Sequence, residues 1–242
     1  MRLICLPYAG GSAMIYARWR RLLPSWIEVV PLELPGRGAR MDEPLHTEMA
    51  GLADQLATEL IGTAWRSPYA LFGHSLGGLI AFEVAHGLLA RGAPSPQILL
   101  VSGTEAPAMR DGSRWQEPLD HDALRGELSR LKGTPSEALE SPEIMRHALP
   151  ILRADFLMCG NYVPQQRKRL PCPIQVFGGD RDETRREALD AWRDETSASF
   201  RLDVLAGDHF FIHARQAELV SRIAALLARQ SRRQPAAVGA EP

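Results

Sequence analysis

The chain has 242 residues, which favours one domain of roughly 220–240 residues over two of ordinary size. Apolar residues make up 45% and charged residues 24%, a globular balance with enough apolar surface for a real core. The 28 basic and 29 acidic side chains leave a net charge of -1, which argues against bulk electrostatic attachment to nucleic acid or an anionic membrane.

Taken in chain order, short apolar runs alternate with longer amphipathic stretches, the pattern of an α/β fold with a mostly parallel sheet flanked by helices. A strand pattern over 3–6 leads into Pro7-Tyr8-Ala9-Gly10-Gly11-Ser12, a loop whose glycines permit close backbone approach. A helical pattern over 13–23 and a strand over 27–32 follow. Leu52, Leu56, Leu60 and Ile61 then place a helix over 48–65, with Thr47 as its expected N-cap. A strand over 70–72, a helix over 76–90 and a strand over 98–101 continue the alternation.

Between about 106 and 164 no strand pattern is visible. Leu124, Leu128 and Leu131 share a helical face, Ser141-Pro142 reads as an N-cap with proline at the first helical position, and Ile144, Ala148, Ile151 and Phe156 form a second face in which Pro150 predicts a kink. A helical insertion of this size within a sheet commonly serves as a lid. Strands over 174–177 and 202–205 alternate with helices over 185–197 and 212–228. The single domain is thus expected over 1–230, with 231–242 as a frayed tail.

The chemistry is concentrated at Gly73-His74-Ser75-Leu76-Gly77-Gly78, a G-x-S-x-G turn with a strand pattern before it and a helical pattern after it. A serine there sits on a strained elbow, with the start of the helix placing partial positive charge near a developing oxyanion. Its weak nucleophilicity calls for a base and an orienting acid, in the chain order Ser, Asp, His. His209, in the loop after the last strand, is the expected base. His213 lies within a helical pattern and His74 points off the elbow, so both read as neighbours. The acid should follow the strand over 174–177, where Asp180 and Asp182 compete; Asp182 is favoured because it lies deeper in the loop. Backbone amides of Leu76 and Ala9 are the expected oxyanion donors, with Tyr8 as the alternative to Ala9.

Cys5, Cys159 and Cys172 are odd in number and accompanied by no C-x-x-C, which points away from a disulfide framework or a zinc site. No apolar run approaches the ~18 residues of a membrane span, and the run over 3–6 is too short for a secretory signal. A soluble cytoplasmic monomer without cofactor or metal is expected.

Several motifs in order resemble the type II (editing) thioesterases of nonribosomal peptide and polyketide assembly lines, over about residues 3–228. They are Leu6-Pro7-Tyr8-Ala9-Gly10-Gly11-Ser12, Leu34-Pro35-Gly36-Arg37-Gly38-Ala39-Arg40, the Ser75 elbow, Gly133-Thr134-Pro135, Leu152-Arg153-Ala154-Asp155-Phe156, Phe177-Gly178-Gly179-Asp180 and His209-Phe210-Phe211. The resemblance implies an α/β-hydrolase fold with a helical lid, and hydrolysis of acyl groups from the 4′-phosphopantetheine thiol of acyl or peptidyl carrier proteins. It places the nucleophile on Ser75, the histidine on His209 and the acid on Asp182. The chain departs from the family's pattern at Gly160, where an acidic residue is frequent, and at Asp208, where Gly-Gly-His is usual. A general carboxylesterase, a malonyl-type acyltransferase and a non-catalytic carrier-binding module are the rival readings. Leu99-Leu100-Val101, where the acyltransferase would need a carboxylate-gripping arginine, argues against that one. Arg37, Arg40, Arg125, Arg130 and Lys132 are candidates for meeting an acidic carrier domain.

Overall fold

Side-chain alternation along six short strands sets the architecture of the computed structural model, which describes residues 1–131 and 141–233. The strands are β1 (Arg2–Leu6), β2 (Glu28–Pro31), β3 (Tyr69–His74), β4 (Leu99–Ser102), β5 (Ile174–Gly179) and β6 (Phe200–Leu205). They form a parallel sheet in the order β2-β1-β3-β4-β5-β6. Central strands of such a sheet are covered on both faces and so are apolar at odd and even positions alike. Leu3 and Cys5 of β1, with Ala70 and Phe72 of β3, face one core. Ile4 and Leu6, with Tyr69 and Leu71, face the other.

The helices are α1 (Trp19–Leu22), α2 (Met49–Arg66), α3 (Leu76–Ala90), α4 (His121–Leu131), α5 (Pro142–Gly160), α6 (Arg186–Asp190), α7 (Phe211–Ala214) and α8 (Gln216–Arg233). Helices α2 and α3 cover one face through Leu52, Leu56, Ile80 and Val84. Helices α1 and α8 cover the other through Trp19, Leu219, Ile223 and Leu227. A third apolar cluster, Leu124, Leu128, Met145, Leu152 and Phe156, joins α4 to α5.

All six expected strands are present; the differences lie in the helices. The pattern over 13–23 divides into a 3-10 turn, Ala13–Tyr16, and the short α1. Ser12 starts the turn by accepting from the Met14 amide, and Pro24 forces Leu23 into an extended conformation that ends α1. The pattern over 185–197 is α6 followed by a 3-10 turn, Ala191–Glu195. That over 212–228 is interrupted at Arg215, and α8 continues to Arg233, so the helix overruns the expected start of the tail at 231. The rest of the tail, 234–242, lies outside the described residues, as does Gly133-Thr134-Pro135. Glu48 rather than Thr47 occupies the N-cap of α2. Ser141 does cap α5, accepting from the Ile144 amide at 3.4 Å, and α5 runs through Pro150 as one helix.

The strand order fixes where a ligand can sit. From β1 the chain steps outward to β2, then returns to place β3 on the opposite side of β1. The connections leave the sheet in opposite directions there, opening a crevice at the carboxyl ends of β1 and β3. The loop over 7–12 and Ser75 both emerge into it.

Helix α2 also contains Gly62, on an exposed face with open space around its Cα. Gly62→Ala should therefore raise stability by about 0.5–1 kcal/mol, read as a higher denaturant midpoint with an unchanged m-value.

Candidate active site

Strand β3 ends at His74, and Ser75 follows with φ 53° and ψ -122°. It is the sole non-glycine residue with positive φ among the described residues. Such a conformation costs of order 1–3 kcal/mol and persists when its surroundings over-determine it. Here the Ser75 amide donates to Ser102 O at 2.7 Å and the Gly78 amide donates to Ser75 O at 2.9 Å. Any side chain at Gly73 would strike the backbone of Gly77, and one at Gly77 would strike the carbonyls of Leu6 and Pro7. The glycines of the motif are thus demanded by backbone-to-backbone contact.

The loops after β5 and β6 bring Asp182 to His209. The carboxylate accepts from His209 Nδ1 at 3.1 and 3.2 Å, and also from the Thr184 amide at 3.1 Å and Thr184 Oγ1 at 3.2 Å. Burial pushes the Asp182 carboxyl up, but the His209 hydrogen bond and charge, with the Thr184 amide, bring it below its ordinary value. Asp182 therefore stays ionised at neutral pH. Asp180 faces elsewhere: its Oδ1 accepts from the Gly207 amide at 2.8 Å, tying the two loops together. Between the competing aspartates, the one against the imidazole is Asp182.

His74 is fully buried, with Nδ1 2.9 Å from Ser102 Oγ and its ring tilted against His209 at 5.1 Å between centroids. Burial, followed by the neighbouring His209, drives its pKa well below 6.5 and keeps it neutral. It is a packing neighbour of the site, as expected. His213 Nε2 lies 3.0 Å from the Tyr8 hydroxyl, a contact that the sequence did not suggest.

Ser75, Asp182 and His209 border one cavity of about 610 Å³ together with Ala9 and Leu76. Its apolar lining comes largely from the helical insertion, through Leu128, Met145, Ala148, Leu152 and Phe156, beside which Arg110, Asp111 and Arg130 also border it. The Gly10 amide donates to Asp155 Oδ2 at 2.7 Å and the Gly11 amide donates to Tyr8 O at 2.9 Å. Both of those amides are engaged, one by α5 and one within the loop, which leaves Ala9 or Tyr8 to offer an amide to a ligand. Cys159 also borders the cavity, and all three cysteines are buried free thiols.

Of the arginines expected to meet a carrier domain, Arg37 is turned inward, whereas Arg40 and Arg130 are half-buried and held in ion pairs. Arg37 is 4% exposed and forms a two-pronged pair with Asp155, each contact 2.7 Å long. Arg40 grips Glu43 at 2.6 Å and Glu59 at 2.8 Å. Arg130 pairs with Glu127 at 3.0 Å and with Glu183, linking α4 to the loop that holds Asp182. Arg125 remains exposed on α4, and Lys132 lies outside the described residues. An arginine's spacing from glycine does not reveal a carboxylate 118 residues away.

A parallel sheet of this order, a serine elbow at its switch point and a histidine–carboxylate pair opposite define an α/β-hydrolase. Residues 1–227 match the thioesterase domain model, and the chain belongs to the thioesterase family, enzymes that hydrolyse thioesters. It is 40% identical over 225 residues to a Brevibacillus parabrevis protein named linear gramicidin dehydrogenase LgrE, covering 91% of this chain and 85% of that one. The dehydrogenase wording is part of that relative's name alone. RedJ, the thioesterase of the prodiginine pathway in Streptomyces coelicolor, superposes with a TM-score of 0.87 at 37% identity, over 93% of this chain and 85% of RedJ. The type II thioesterase BorB of the borrelidin cluster superposes at 0.85 and 35% identity, over 93% and 92%. These findings bear out the resemblance to type II thioesterases and the α/β-hydrolase fold.

Asp182→Asn should lower kcat by up to about 10⁴-fold, because the amide cannot hold the required imidazole tautomer. Asp180→Asn should lower it far less; steady-state kinetics on one thioester rank the two. A second expectation concerns acid stability. His74 is neutral when folded but takes a proton below about pH 6.5 when unfolded, so the native state loses stability as pH falls through that value. His74→Asn should flatten this limb of the stability curve by up to about 1.4 kcal/mol per pH unit. His86, with a pKa lowered to about 4 by burial and then by Arg167, keeps its own share.

Proposed function

We propose that this thioesterase releases acyl groups from the 4′-phosphopantetheine arm of carrier proteins in nonribosomal peptide and polyketide assembly, through an acyl-enzyme on Ser75. The observation that carries the reading is the His209–Asp182 pair bordering the same apolar-walled cavity as the strained Ser75. A long flexible arm suits a reacting carbonyl at the bottom of a crevice, and the pathways named for RedJ and BorB agree with an assembly-line substrate.

The mechanism follows from the donors and acceptors. His209 Nε2 takes the Ser75 proton as Oγ attacks the thioester carbonyl, while Asp182 holds the imidazole through Nδ1 and stabilises the imidazolium. The amides of Leu76 and Ala9 bind the oxyanion, with Tyr8 as the alternative to Ala9, since those of Gly10 and Gly11 are engaged. Collapse breaks the C–S bond, and His209 returns the proton to the departing pantetheine sulfur. Water, deprotonated by His209, then attacks the Ser75 ester, and the acid leaves as serine recovers its proton. Electron pairs move only among serine, thioester and water, so this scheme uses no cofactor or metal.

The apolar wall favours acyl groups over charged ones, with modest discrimination, since a methylene is worth only about 1–3 kcal/mol in such a pocket. That tolerance suits editing, the clearance of misloaded carriers. The partners in this reading are acyl or peptidyl carrier domains rather than nucleic acid or membrane, and the enzyme works as a cytoplasmic monomer. No helix among the described residues is long and apolar enough to cross a membrane.

One experiment separates this reading from a general carboxylesterase and from a non-catalytic carrier-binding module. The same acyl group is offered on a carrier protein, on N-acetylcysteamine and as an aryl ester. The carrier substrate should show kcat/KM at least about tenfold above the minimal thiol, an advantage that shrinks as salt rises. Equal values without salt dependence would favour the carboxylesterase. Ser75→Ala should lower kcat by about 10⁴-fold or more, with His209→Ala adding little on top of it. A Ser75→Ala protein with wild-type turnover, or a wild-type protein with none, would overturn the triad.

A further inference from the structure

The Arg37–Asp155 pair has no role in the scheme above, yet it is the most enclosed ion pair among the described residues, with side chains 5% and 0% exposed. The pair joins three parts of the chain. Asp155 belongs to α5, a wall of the cavity. Arg37 sits between Gly36 and Gly38, whose φ values of 79° and 52° turn the chain sharply on either side of it. Both partners then close on the loop after β1: Asp155 Oδ2 accepts from the Gly10 amide at 2.7 Å, and Arg37 Nη1 donates to Gly11 O at 3.4 Å. The Gly11 amide completes a turn onto Tyr8 O at 2.9 Å, and Leu152, one helical turn before Asp155, packs against Gly10.

We propose that Arg37 and Asp155 are positioning residues for the oxyanion hole. Asp155 holds the Gly10 amide away from the substrate, and Arg37 fixes both the carboxylate and the following carbonyl. The Tyr8–Gly11 turn is then locked with the Ala9 amide directed at the carbonyl that Ser75 attacks. A charged acceptor on Gly10 makes the lock stiff, because charge-assisted hydrogen bonds are shorter and about twice as strong as neutral ones. Stiffness matters here because a donor that need not reorganise stabilises the transition state most. The inference rests on the serine mechanism proposed above.

The test compares two inhibitors of the same acyl length. A trifluoromethyl ketone adds to Ser75 and presents an oxyanion, whereas a thioether analogue binds without one. In the wild type, the ketone should move the amide proton resonances of Ala9 and Leu76 and leave that of Gly10 in place. Asp155→Asn, and the charge-free pair Arg37→Met with Asp155→Leu, should lower kcat by about 10²–10³-fold with KM within a few-fold. Affinity for the ketone should fall by the same factor while the thioether binds as before. The double variant leaves no unpaired buried charge and so guards against simple unfolding. Equal loss for both inhibitors, a lower Tm with unchanged ketone affinity, or a Gly10 resonance that moves in place of Ala9 would each overturn the proposal. A wild type that forms no adduct with the ketone would sink the serine mechanism itself, whereas an adduct equally stable in the variants would sink the positioning role alone.

Discussion

The close approach of backbones at the end of β3 is the constraint on which the rest depends. Gly73 lies so near Gly77, and Gly77 so near the carbonyls of Leu6 and Pro7, that no β-carbon fits between them. This contact pins the first turn of α3 against the ends of β1 and β3 and forces Ser75 into its left-handed conformation. Ser75 is thereby lifted out of the sheet, and the Leu76 amide, at the helix start, comes beside it. Buried hydrogen bonds to Ser102 and from Gly78 hold the strain in place.

Around this fixed point the electrostatics separate neighbouring groups by environment. Asp182 keeps its charge despite burial because three donor groups converge on it, whereas His74, a ring's width from His209, is neutral because its desolvation outweighs the opposing pull of the Asp182 charge. In the mechanism proposed above, a neutral His74 spares His209 a second positive charge when its imidazolium forms. The helical insertion contributes on a different level. Its apolar side chains wall the cavity, and Asp155 reaches back through the wall to the glycine loop.

Much of this was legible in the sequence, for physical reasons. The strands could be read because both faces of a covered parallel sheet are apolar, so even four-residue runs such as β4 stand out. The elbow could be read because its glycines answer a steric need that no other residue meets. Helix interruptions at 17–18 and at Arg215 were not legible, since the apolar period continues through them while local hydrogen bonds break the ladder. Arginine pairing was the larger loss. Arg37 and Asp155 each belong to a recognisable motif, but their meeting depends on the fold bringing α5 over the first loop. Surface attraction was therefore expected of a side chain that is buried.

The strand order has a consequence for how the enzyme matures. Ser75 follows β3, Asp182 follows β5 and His209 follows β6, so the acid and base of the proposed triad stand on the last two strands in the chain, at one edge of the sheet. A parallel sheet makes such pairings non-local, and chains rich in non-local contacts fold slowly. The serine elbow is built on β1, β3 and β4, whereas the proposed base comes only with the end of β6. In the mechanism proposed above, hydrolysis thus requires the whole sheet, and a chain cut short before residue 209 keeps the elbow but lacks the histidine that would activate its hydroxyl.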